Sequence, residues 1–126
     1  MANVADAYFY QGNYEQATRV ANQILDNEEP HAEPNAYYTL GLIREAKGEF
    51  HEAVLYFERS LEIAESTGNS WMQAFAGRAY GKMLCLDNQA LEGREQLNRA
   101  LAQFKAMEKA QEVKETERLL AEYGSF

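Results

Sequence analysis

The chain has 126 residues, 46% of them hydrophobic, and a net charge of −8 from 20 acidic and 12 basic residues. That length suits one domain with its own core. The single cysteine and two histidines exclude an intrachain disulfide framework and the usual four-ligand structural zinc site, while the acidic balance argues against a nucleic-acid binder, which needs basic surface to release counterions from phosphates.

The first element is a short helix in NVADAYFYQG, with Val4, Ala5 and Tyr8 in one phase and a turn at Gly12. QGNYEQATRVANQILD follows, with Gly12, Tyr14, Ala17, Ala21, Ile24 and Leu25 at the spacings of 3 and 4 that return to one helix face. Asn35 is the expected cap of the third helix, Pro34 blocking extension upstream; Tyr37, Leu40, Gly41 and Arg44 then run at i, i+3, i+4 and i+7 to a turn at Gly48. KGEFHEAVLYFERSLEIA supplies Phe50, Ala53, Phe57, Ser60 and Leu61, where small residues leave room for a neighbouring backbone and large ones supply apolar area.

SWMQAFAGRAYGKMLCLDN, capped by Asn69 or Ser70, carries a core stripe of Ala74, Gly77, Gly81 and Leu84, with Tyr80 in phase and Gly77 and Gly81 marking close helix packing. DNQALEGREQLNRALA repeats the earlier pattern at Asn88, Ala90, Gly93, Leu97, Ala100 and Leu101. The offsets are 36 (48 − 12) and 40 (88 − 48), and a period of 20 to 50 residues signals stacked supersecondary units. A last helix, EKAQEVKETERLLAEYG, has a stripe of Val113, Thr116, Leu120 and Tyr123, with Lys114, Glu115, Glu117, Arg118 and Glu122 left for solvent and Gly124 as the stop. It is expected to cap the stack by covering the last hairpin with a polar outer face.

Enzyme chemistry is not expected. The chain has no glycine-rich phosphate loop, no Gly-x-Ser-x-Gly elbow and no His-Glu-x-x-His pair. His31 and His51 fall in loops as solvated imidazoles, and Cys85 reads as a small apolar residue. No cofactor is implied. No run approaches the ~18 apolar residues of a membrane span, and MANVADAYFY does not read as a secretory signal, so a cytoplasmic location is expected.

The second unit, with Tyr37, Leu40, Gly41, Gly48, Phe50, Ala53, Phe57, Ser60 and Leu61, resembles a tetratricopeptide repeat, whose period is 34 residues. The first unit matches in its second helix, and the third departs, with Asn88 for the turn glycine, Ala90 for the aromatic and Gly93 for the alanine. The longer spacings and the joins resemble repeat arrays attached to bacterial signalling ATPases and transcriptional regulators. The resemblance implies an all-α domain over residues 1–126: a right-handed superhelical stack of three helix-turn-helix hairpins (1–29, 34–66 and 69–107) and a capping helix (108–124), seven helices in all.

It also implies a concave groove lined by the first helix of each hairpin and used to bind a peptide or helix of another protein, as a scaffold or adaptor. The candidate binding residues are Asp6, Tyr10, Asn35, Tyr38, Leu42, Glu45, Trp71, Phe75, Arg78, Lys82 and Arg118. Trp71 and Phe75 could instead pack only on the preceding repeat. A subclass that clamps a peptide's terminal carboxylate uses lysines, asparagines and an arginine at places that hold Ala2, Asp6, Thr39, Phe75 and Ala79 here, so that clamp is not expected. Advancing Arg78 by 40 lands on Arg118, which suggests a bipolar groove with Arg78, Lys82 and Arg118 at one end and Asp6 and Glu45 at the other; the alternative is an ion pair of Lys82 with Glu122. Self-association of copies, or a piece of a larger signalling protein, are the other readings.

Overall fold

The computed structural model describes residues 4–123. Among them are seven helices: α1 (Val4–Tyr10), α2 (Tyr14–Asp26), α3 (Glu33–Ala46), α4 (Phe50–Ser66), α5 (Ser70–Leu86), α6 (Ala90–Ala106) and α7 (Ala110–Tyr123). Consecutive helices pack on one another, and α1, α3, α5 and α7 also meet in turn along one side. The expected stop at Gly124 and the clamp position Ala2 lie outside the described residues.

Every join turns through one left-handed residue: Gly12, Glu28, Gly48, Gly68, Asn88 and Glu108. The amide after each of these reaches back five residues, as from Glu49 to the Arg44 carbonyl at 2.9 Å and from Lys109 to that of Phe104 at 3.0 Å, which satisfies a carbonyl that the helix end would leave open. From Glu28 onward these residues recur at steps of 20 (48 − 28 through 108 − 88), whereas Gly12 precedes Glu28 by 16 (28 − 12). The 36-residue first offset therefore comes from α2 being one helical turn shorter.

Each hairpin crosses at three equivalent positions, all buried: Ala5, Ala17 and Ala21; Gly41, Ala53 and Phe57; Gly81, Gly93 and Leu97. In the second hairpin a Cβ placed on Gly41 would lie 2.5 Å from the Phe57 ring. In the third, a Cβ on Gly81 would lie 2.8 Å from the Gly93 carbonyl oxygen, and one on Gly93 would lie 2.6 Å from that of Gly81. Ser60 makes a different use of a small residue, donating its buried hydroxyl to the Pro34 carbonyl at 2.7 Å and so fastening α4 to the first turn of α3.

The main core lies between α4 and α5, where Val54, Phe57 and Leu61 meet Met72, Tyr80, Met83 and Leu84. A smaller cluster joins α2 to α3 through Ala21, Ala36 and Leu40, and another joins α5, α6 and α7 through Ala74, Ala100, Phe104 and Val113.

Three local expectations are corrected. Helix α3 starts at Glu33 with Ala32 before it, so Asn35 lies inside the first turn and is not the cap; Pro34 fits within that turn because an amide there has no helical partner to lose. Asn69, by contrast, does cap α5, accepting from the Met72 amide at 3.0 Å. Val4 is 60% exposed, leaving Ala5 as the buried residue of α1. On α7 the buried pair is Thr116 and Leu119, with Leu120 only half-buried: both leucines are one turn from Thr116, and α5 takes up the i+3 neighbour.

Candidate functional site

The first helices enclose a hollow of about 630 Å³ lined by Asp6 and Tyr10 of α1, Asn35 and Tyr38 of α3, Asn69 at the α5 cap, Trp71, Met72, Phe75 and Arg78 of α5, and Glu112 of α7. Seven of the eleven residues singled out from the sequence meet here. Leu42, Glu45 and Lys82 line a second hollow of about 180 Å³ beside it, with Tyr38, Arg78, Ala79, Glu115 and Leu119. Arg118 lines neither; its guanidinium is held by Glu115 at 2.7 Å and Glu122 at 2.8 Å on its own helix.

Aromatic rings form much of the larger hollow. Trp71, 44% exposed, leans on Phe75 at 4.8 Å between ring centroids, and Phe75 meets Phe104 of α6 edge-on at 5.1 Å. Phe75 also touches the α4–α5 core, so it serves both the hairpins and the hollow. Tyr38 sits against Phe57 at 5.6 Å, and burial pushes its phenol well above the ordinary tyrosine range, which keeps it protonated and able to donate. Tyr10 is 74% exposed at the rim. Thr39 donates to Asp6 at 2.6 Å, tying α1 to α3 and orienting the carboxylate.

The charges do not form a bipolar groove. Arg78 pairs with Glu112 at 2.8 Å and lies over the rings of Phe75 and Phe104 at 5.1 and 4.8 Å. Lys82 pairs with Glu45 at 2.9 Å, not with Glu122. The basic residues are thus matched inside the groove by α3 and α7. Glu112 and Met72 were not singled out from the sequence, and Asn69 only as a helix cap. A signal for Glu112 existed: an arginine embedded in an apolar stripe needs a carboxylate within reach, and the next helix of the series carries one.

No helix among the described residues is long and apolar enough to cross a membrane. No curated protein and no solved structure matches the chain. The family model for the tetratricopeptide repeat matches residues 1–66, the first two hairpins, and the third hairpin repeats the second's turn geometry at the same 20-residue step. Repeats of this kind generally mediate protein–protein interaction. The nested small-and-large crossings, the glycine-type turns and this match over more than half of its length make the chain a member of the tetratricopeptide repeat family.

Proposed function

We propose that the larger hollow binds a peptide or helix of a partner protein, so that the chain works as a scaffold or adaptor with no chemistry of its own. One observation supports this reading: the hollow leaves Tyr10 and Trp71 exposed beside Asp6, Asn35 and Asn69. Large rings next to directed polar groups are what interface hot spots are made of. A helical stack that needed these rings only for its core would cover them.

Trp71 is the only tryptophan, so its emission reports directly on the hollow. Affinity capture from a cell lysate is expected to recover proteins with the full chain that are lost with Tyr10→Ala plus Trp71→Ala, at nearly unchanged melting temperature. The same binders, added back, are expected to shift Trp71 emission. Equal recovery by both forms would overturn the groove reading. Light scattering across the micromolar range checks self-association: a dimer that the double variant abolishes would make a second copy the occupant.

A further inference from the structure

We propose that a basic recess at the α6–α7 join receives the acidic α2–α3 join of a second copy of this chain, a contact independent of the larger hollow. The α2–α3, α4–α5 and α6–α7 joins fall along one edge of the stack, because short loops reverse each helix on the last. The two outer joins on that edge differ in charge. Residues 26–33 hold Asp26, Glu28, Glu29 and Glu33 and no Lys or Arg. The recess is lined by Lys105, Lys109 and Lys114 against Glu108 and Glu117. That is a net +1, with the Lys109 ammonium over the Trp71 ring counted, in a chain whose net charge is −8. Among the described residues, none of these side chains takes part in an ion pair.

Shape agrees with charge. The recess is open and measures about 490 Å³, and Ala110 and Val113 give it an apolar lining to which the lysine stems add. The α2–α3 join has six residues (27–32), where each of the other joins has three (11–13, 47–49, 67–69, 87–89 and 107–109). Residues 26–31 are all exposed, with Pro30 among the carboxylates. An apolar ring inside an acidic rim thus faces an apolar lining inside a basic one, the usual anatomy of an interface. Repulsion between two chains of net charge −8 opposes the contact at long range. At about 0.15 M salt, however, the Debye length is only about 8 Å, which screens remote charges more than groups that touch.

The test is analytical ultracentrifugation of the full chain from micromolar to millimolar concentration. The weight-average mass is expected to climb above the 14.4 kDa of one chain at about 0.15 M salt and to fall back at about 1 M, where the Debye length is about 3 Å. Asp26→Lys plus Glu29→Lys, and separately Lys105→Glu plus Lys114→Glu, are each expected to raise the dissociation constant by about tenfold or more, as like charges set face to face do. The first pair leaves a net charge of −4 (−8 + 4), which by itself favours association, so weakening there reports the lost contact. An equimolar mixture of the two variants, each folded by circular dichroism, is expected to regain the mass of the unaltered chain, because each surface of one variant then meets its opposite on the other. A chain that keeps the mass of one copy throughout, association that either charge reversal leaves intact, or a mixture that stays monomeric would overturn the proposal. Association lost with Tyr10→Ala plus Trp71→Ala and not with the charge reversals would seat the second copy in the larger hollow, and would overturn it too.

Discussion

The second and third hairpins build the same crossing around an equivalent glycine but fill the space beside it differently. In the second, Gly41 gives its space to the Phe57 ring, and Ala53 fills the remaining position. In the third, the smaller Leu97 replaces the ring, Gly93 replaces the alanine, and the Gly81 and Gly93 backbones come into direct contact. What the two share is the glycine, Gly41 and Gly81. The third unit carries less side chain at the other two positions and makes up the difference by closer approach, so that backbone meets backbone where the second hairpin has a ring.

Removing the plug is expected to have the largest effect. Phe57→Ala should cost about 3–5 kcal/mol, through lost burial and the cavity left behind, read as a fall in the urea midpoint. If the ring sets the spacing of the second crossing, Gly41→Ala should be costly alone, because its Cβ would meet a fully buried ring, yet much less costly in a Phe57→Leu background. Additive costs in that double-mutant cycle would break the comparison.

Backbone contact in the third hairpin leaves less room for adjustment. Gly93→Ala should cost about 1–3 kcal/mol, since the new methyl would face the Gly81 carbonyl and the Cys85 sulfur, both at 2.6 Å. The reciprocal Ala53→Gly should cost no more than about 1 kcal/mol, the usual helix penalty for glycine. Calorimetry on the pair would sharpen the contrast, and a milder effect for Gly93→Ala would contradict it.

Smaller effects belong to the fastenings. Ser60→Ala should lower stability by about 1 kcal/mol, the usual net worth of a hydrogen bond, because the third hairpin's equivalent, Ala100, manages without one. At the turns the sign reverses. Asn88→Gly and Glu108→Gly should each raise stability slightly, by about a few tenths of a kcal/mol, seen as a small rise in melting temperature, because both positions are left-handed and glycine adopts that conformation without a Cβ clash.

Much of this arrangement was legible in the sequence. Gly12, Gly48 and Asn88 marked turns because few residues accept that backbone, and Ala53, Phe57, Gly81 and Leu84 marked buried faces because their spacing follows the helical period. Tyr38, Trp71 and Phe75, which line the larger hollow, could be placed by asking which residues the core stripe left over. Partners were harder to read. Glu45 and Lys82 lie 37 positions apart, and periodicity assigns each to a face without saying how far neighbouring helices slide past one another. Arg118 misled for the same reason: its 40-residue correspondence to Arg78 was real, but two carboxylates on its own helix were nearer. Leu119 and Leu120 could not be separated by period alone, since either continues a stripe from Thr116.

The even step from one left-handed residue to the next makes the joins interchangeable, but the crossings are not. A chain rebuilt so that α5 were followed by a copy of α4 would keep every turn in phase and still drive the Ala53 methyl into the Gly81 carbonyl that Gly93 now lets come close. The helices thus carry an order of assembly, as keyed parts do: joined alike, and each cut to accept the neighbour it has.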